Sequence, residues 1–290
     1  MTAGYATNKE KPLVQAARNM RYAAYRSISP LDYSFRVINQ IGQYPPLHLR
    51  RHVGGMSAGF NGASYELVAY LRLLAQLRDG DRLWDLACGC GLLELALNDL
   101  GWQGQLIGSD IHKPSIDWAQ KHLGTRFGGH KFIHMDIYSA AYYPKGKLNA
   151  QEWFDSFVEK DFDVVVAKSL FTHLLPEEVD IYLRGIADRL RIGGKALLTF
   201  FILNEEQQRL AALGKNRMLF HPYSEDKRCA VYRPQAPTAA VAYEQNYLEK
   251  RFRDVGFKVE GWSRYHGAWT GGPDALSFQD IIAVEKASGS

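Results

Sequence analysis

The sequence predicts an α/β fold: a doubly wound, mostly parallel sheet with an N-terminal extension and an inserted cap. Three observations carry this. Short apolar runs alternate with helical ones from about residue 80 onward. The first four runs close on Asp85, Asp110, Asp136 and Lys168. The first run, in RLWDLACGCG, passes at once into a turn of small residues and then a helix. Strands alternating with helices call for a parallel sheet covered on both faces.

Arg82 to Leu86 is the first strand, and Gly89 and Gly91 let the backbone turn sharply and approach a ligand that a Cβ would push away. The turn differs from a dinucleotide fingerprint. That pattern is G-x-G-x-x-G, and Glu94 stands where its third glycine belongs. A carboxylate there would sit badly beside a pyrophosphate and acceptably beside a ligand with a positive centre.

A chain of 290 residues suits one large α/β domain or a domain with additions. Hydrophobic residues make up 46% and charged residues 23%, an ordinary globular balance. The net charge of +4 is small, and no block of like charges marks an arm for nucleic acid or anionic membrane. No apolar run reaches the length of a membrane span. The N-terminus lacks an apolar signal core, so a cytoplasmic location is expected. Cys88, Cys90 and Cys229 make neither a disulfide framework nor a complete metal site, so no metal is expected. They read as small side chains in a reducing compartment.

In chain order, residues 1–60 have no regular pattern and form the extension, read equally as a lid over the site or as a structural wrap. Pro45-Pro46 forbids a helix through that point, and LHLRRHVGG after it reads as a short helix or a lid segment. Residues 62–78 carry apolar positions at helical spacing and stop at Asp79-Gly80-Asp81. Further strands are expected at 105–110, 131–134, 162–167 and 195–201, the last after a Gly193-Gly194 turn. The unbroken valines of FDVVVA suit a sheet buried on both faces. Helices are expected near 91–100, 114–123, 149–159 and 176–190, the last opening on Pro176 with two acids. Residues 204–241 break the rhythm and read as the cap inserted into the 61–290 domain. An amphipathic helix at 243–255 and a terminal hairpin, with strands near 257–264 and 277–285, close the fold; the last residues read as a disordered tail.

In an open parallel sheet, ligands bind beyond the carboxyl ends of the strands, so the four closing residues should line one crevice. Asp110 lies 25 residues after Asp85, and a carboxylate at that distance accepts from both hydroxyls of a ribose; it equally suits the N-cap of the next helix.

DLACGCG resembles the first motif of class I S-adenosylmethionine-dependent methyltransferases, D/E-x-G-x-G-x-G, with Ala87 in place of the first glycine. The segment from SLFTHLLP through LLTFF resembles bacterial, largely uncharacterised members that share the FTHLLP run. They also share a W-x-G…QD tail, here Trp269, Gly271, Gln279 and Asp280. The resemblance implies a seven-stranded sheet whose last strand inserts antiparallel, and S-adenosyl-L-methionine as cofactor. It implies that Asp85 faces the methionine end and that Ala87, Gly89 and Gly91 form the cofactor turn. Asp110 with Ile111 would take the ribose, and Asp136 would accept from the adenine amino group with Met135 and Ile137 packing on the ring. Asp136 also fits an ordinary turn. Lys168 would contact cofactor or an acidic substrate.

Methyl transfer from a sulfonium is an in-line displacement, so alignment and exclusion of water dominate. An oxygen nucleophile also needs a base. His173 is the first candidate, with packing of the FTHLL turn the competing reading; His221 and His266 are weaker. Tyr142, Tyr143, Phe220, Tyr223, Tyr265 and Trp269 could wall the site or simply pack.

The expected reaction moves a methyl to the oxygen or nitrogen of a small-molecule acceptor, since cap and extension suggest an enclosed site. A homodimer is left open, and no nucleic-acid or membrane partner is expected. The alternatives are an RNA or protein methyltransferase, for which no basic stripe or added module is visible, an NAD-dependent oxidoreductase, which Glu94 and the terminal hairpin oppose, and a non-catalytic cofactor-binding module.

Overall fold

A computed structural model describes Met20 and residues 23–39, 41–50, 60–124, 129–223 and 228–288. The expectations for residues 1–19 and 51–59 of the extension, and for Gly289 and Ser290 of the tail, fall outside these.

Among the described residues, eleven strands form two sheets. The main sheet contains β1 (Arg82–Leu86), β2 (Gln105–Asp110), β3 (Lys131–His134), β4 (Phe162–Ala167), β5 (Leu190–Phe200), β10 (Phe257–Tyr265) and β11 (Asp280–Lys286). Its order is β10-β11-β5-β4-β1-β2-β3. β1 through β5 run parallel, while β11 lies antiparallel between β5 and β10. The strand order therefore reverses beside β1 and β4, which puts the crevice at their carboxyl ends.

Both faces of the sheet are covered, as the valines of β4 require. Val164 and Val166 join a core with Leu67, Leu71, Leu93 and Leu97. Val165 and Ala167 join the larger core on the other face, with Trp84, Phe154, Leu183 and Ile186. The first core is capped by α3 (Phe60–Leu74) and α4 (Leu92–Asp99); the second receives α6 (Ala150–Ser156), α7 (Pro176–Arg189) and α9 (Gln245–Asp254).

Two expectations are corrected. β5 begins at Leu190 rather than 195, and the Gly193-Gly194 pair lies inside the strand. Partners jump from Phe162↔Leu190 to Val164↔Lys195, so the pair forms a bulge. A Cβ on Gly194 would stand 2.9 Å from the carbonyl oxygens of Arg191 and Phe162. The extension, read as without regular pattern, contains α1 (Ser29–Ile38); α2 (Leu47–Arg50), beyond Pro45-Pro46, is the short helix of one reading of LHLRRHVGG. α1 packs through its charges. Asp32 and Arg36 are buried and bonded at 2.9 Å, Arg50 also pairs with Asp32, and Arg36 donates to the Tyr44 carbonyl at 2.5 Å. Leu31, Phe35 and Ile38 stay exposed.

The cap is a second sheet over the end of the first. β6 (Ile202–Leu203), β7 (His221–Pro222), β8 (Cys229–Val231) and β9 (Val241–Glu244) run in the order β6-β9-β8-β7. α8 (Glu205–Ala212) precedes β7, and Asn204 caps it by accepting from the Gln207 amide at 2.9 Å. Trp269 is fully buried under this sheet, with Phe201 and Phe220 packed edge-on at 5.4 and 5.3 Å. Trp269 and Phe220 thus serve packing rather than a substrate wall. No described helix is long and apolar enough to cross a membrane.

Candidate functional site

The first turn is held in the left-handed region at three alternate positions. Ala87, Gly89 and Gly91 have φ of 69°, 57° and 78°. Two of these are glycines and carry no penalty. Ala87 is strained, since a non-glycine residue there costs about 1–2 kcal/mol, and the alanine is a larger departure from the motif than its size suggests. The turn is tied to β2, because the amides of Ala87 and Cys88 both donate to the Ser109 carbonyl, at 2.8 and 3.1 Å. Gly91 has a second constraint. A Cβ there would lie 2.5 Å from Leu123 Cδ1 and 3.0 Å from Glu94 Oε2.

Asp110 closes β2 and is half-buried. Its Oδ2 accepts from the Gly89 amide at 2.9 Å and its Oδ1 from the His112 amide at 2.7 Å. Asp110 is not the N-cap of α5 (Lys113–Ala119), which is His112 without a side-chain cap bond; its carboxylate instead fixes the first turn and the residue that opens the helix, and each oxygen keeps a lone pair. Ile111 is partly buried against the larger core.

Asp85 is buried at the end of β1. Burial, with the Asp110 charge behind it and Lys168 opposing, pushes its pKa up to about 7. Lys168 closes β4, half-buried, and donates to the Ala63 carbonyl at 3.3 Å; burial lowers its pKa. A titratable acid, a half-buried amine and the turn thus occupy the reversal point of the strand order. Asp136 is half-buried beyond β3, and its carbonyl accepts from the Lys147 and Leu148 amides at 3.0 Å. Met135 and Ile137 on either side are buried in the larger core, walling Asp136 from within.

Residues 84–194, which hold all of these groups, match the family model described as a methyltransferase domain. This segment is a methyltransferase domain. Solved structures agree in fold. A Pyrococcus horikoshii OT3 protein aligns with a TM-score of 0.50 and 18% identity over 80% of this chain and 92% of that one. A Methanosarcina mazei protein, described as an S-adenosylmethionine-dependent methyltransferase, aligns at 0.50 and 19% identity over 73% and 95%. A Nostoc punctiforme PCC 73102 protein, proposed as an O-methyltransferase, aligns at 0.52 and 16% over 83% and 61%. At these identities the likeness is one of fold. S-adenosylmethionine is the methyl donor of this class.

The structure departs from the sequence reading at Glu94. Its carboxyl is fully buried in the first turn of α4, with neither oxygen hydrogen-bonded. Burial raises its pKa well above the usual 4.5, helped by the Asp85 charge. His130 approaches to 3.9 Å, and burial lowers its own pKa, so the two meet as neutral groups rather than as an ion pair. A neutral, enclosed acid does not repel a pyrophosphate, so the argument drawn from Glu94's charge does not hold; the fold and the domain match carry the distinction instead. Because the folded pKa is raised, Glu94 favours the native state below the unfolded value and opposes it as pH rises above 4.5. Glu94→Gln should therefore flatten the fall of the urea midpoint between pH 5 and 8, leaving the variant the more stable form at pH 8.

His173 lies in a single 3-10 turn, Phe171–His173, just past β4. Its Nδ1 is 2.9 Å from the Thr238 carbonyl of the cap and 3.0 Å from the Tyr142 hydroxyl. A carbonyl only accepts, so Nδ1 carries the proton and Nε2 holds the free lone pair. Burial lowers the His173 pKa, keeping the ring neutral. His221 and His266 are both exposed. All three cysteines are buried, and Cys88 Sγ fills the space beside Gly108, where a Cβ would come within 2.9 Å. The sequence reading missed the cap carbonyl that orients His173, because its partner lies 65 residues away in a segment without pattern.

Proposed function

We propose that the protein methylates a small-molecule acceptor at oxygen or nitrogen, with His173 as general base. The observation that carries this is the neutral His173 held between Tyr142 and the cap carbonyl at the β4 exit. S-adenosylmethionine supplies an electrophilic methyl on a sulfonium that leaves as a thioether. Asp110 would hold the ribose, Asp136 the adenine amino group, and Asp85 the positively charged methionine end. These groups fit a cationic nucleoside. Three left-handed turn residues bring the backbone close, and three carboxylates stand at the ends of β1, β2 and β3. As the acceptor oxygen attacks, its proton passes to His173 Nε2, and the Thr238 carbonyl steadies the imidazolium through Nδ1–H. The reading of a small acceptor rather than a polymer is supported by the cap, a packed sheet with Trp269 fully buried against it.

A radiolabelled methyl donor offered to fractionated extracts tests the reading. Label in the fraction below about 1 kDa, lost in His173→Ala, supports it. Label confined to RNA or protein, or undiminished in the variant, contradicts it.

Asp85 adds a pH signature. A cation beside it favours its ionised form, so binding releases a proton, and S-adenosylhomocysteine affinity should rise as pH increases through about 7. Asp85→Asn should remove most of that dependence in a calorimetric series from pH 6 to 8.

A further inference from the structure

The tail residues Gln279 and Asp280 divide their work. Asp280 is buried at the start of β11 and accepts from Ile202 N at 2.8 Å, Gly267 N at 2.7 Å and Trp269 Nε1 at 2.7 Å. It fastens the final hairpin to the cap. Gln279 precedes β11, takes no part in its ladder, and reaches the other way, across the carboxyl ends of β5 and β4.

Its Oε1 accepts from Thr199 Oγ1 at 2.6 Å and from Ser169 Oγ at 3.1 Å. Its Nε2 donates to Thr172 Oγ1 at 3.3 Å. Thr199 in turn accepts from the Ser169 amide at 2.8 Å. One side chain therefore binds three segments: β5, the β4 exit and the turn that carries His173. Ser169 has a φ of 58°, a left-handed conformation that costs a serine about 1–2 kcal/mol. Such strain persists only where the surroundings over-determine it, and it gathers at functional sites. Here Ser169 is held through both its amide and its hydroxyl, between Lys168 on one side and the His173 turn on the other.

We propose that Gln279 is a positioning residue for the acceptor side, holding the strained β4 exit and the Phe171–His173 turn in the arrangement that presents His173 to the acceptor. This rests on His173 being the base. Loss of the glutamine frees Ser169 to relax and leaves the fully buried Thr172 hydroxyl without this bond. The groups against His173 are the Tyr142 hydroxyl and the carbonyls of Thr238 and Ala239, so movement of the turn changes its solvation before it changes any charge near it.

The test uses the full chain and three readouts. These are calorimetric affinity for S-adenosylhomocysteine, NMR titration of His173 assigned by its loss in His173→Gln, and label transfer to the small-molecule extract. Gln279→Leu is expected to keep the affinity within about two-fold, to move the His173 titration up toward an ordinary histidine, and to cut transfer by about ten- to one hundred-fold. Gln279→Glu keeps acceptors for Ser169 and Thr199 but cannot donate to Thr172, so it should recover part of the transfer. Unchanged titration and transfer in Gln279→Leu overturns the proposal. A parallel fall of nucleoside affinity, transfer and thermal midpoint overturns it too, since that is a purely structural effect. If the wild type transfers no label, the acceptor reading fails by itself, and the His173 titration still decides the role of Gln279.

Discussion

Asp110→Ala is expected to weaken S-adenosylhomocysteine binding by about one hundred-fold, since two hydrogen bonds from ribose hydroxyls to a charged acceptor contribute about 1.5–3 kcal/mol each before the costs of ordering. The variant carries a second effect that must be separated from the first. The same carboxylate accepts from the Gly89 and His112 amides, so its removal also loosens the turn. Asp110→Asn divides the two contributions, because its amide oxygen can keep one backbone bond while the charge is lost. Calorimetry for affinity and urea midpoints for stability read them independently. An Asp110→Ala protein with wild-type affinity would remove the ribose assignment.

Gly91→Ala should be strongly destabilising, on two separate grounds. The residue sits at φ 78°, and the added Cβ would stand 2.5 Å from Leu123 Cδ1 and 3.3 Å from Phe132 Cε1. Left-handed strain of about 1–2 kcal/mol adds to overpacking of about 1–3 kcal/mol, so a loss of about 2–5 kcal/mol in urea denaturation is expected. Gly101→Ala separates the components. Gly101 has a φ of 73° with nothing within 4 Å of the added methyl, so only the strain remains. Equal losses at the two positions would show that the turn is not packed against Leu123 and Phe132.

β1 to β4 begin and end where the sequence reading puts them, because each boundary is marked by local chemistry: an apolar run, an acid or small residue at its end, a turn. The inserted antiparallel strand follows from the resemblance in the terminal hairpin. Signals fail where the deciding partner is remote. The bulge at Gly193-Gly194 exists because β5 pairs with Phe162, which no local pattern reveals. The cap strands are two to four residues long, too short for any alternation to show. α1 inverts the usual rule: its charged pair is buried and Leu31, Phe35 and Ile38 face out, so even correct periodicity would point its apolar stripe the wrong way. At the site, the carboxylates at strand ends are legible because topology fixes where strand ends go. The Thr238–His173 and Gln279–Ser169 bonds join segments 65 and 110 residues apart and leave no trace in spacing. Glu94 was visible but misread, since its protonation state depends on burial that only the packed helix supplies.

The most direct test of the cofactor assignment is a crystal structure of the protein grown with S-adenosylhomocysteine. The ribose hydroxyls should lie on Asp110, the adenine at Asp136 and the amino-acid end toward Asp85, with the sulfur facing the side of the crevice where His173 stands. A nucleoside bound elsewhere, or one whose sugar leaves Asp110 untouched, would contradict it.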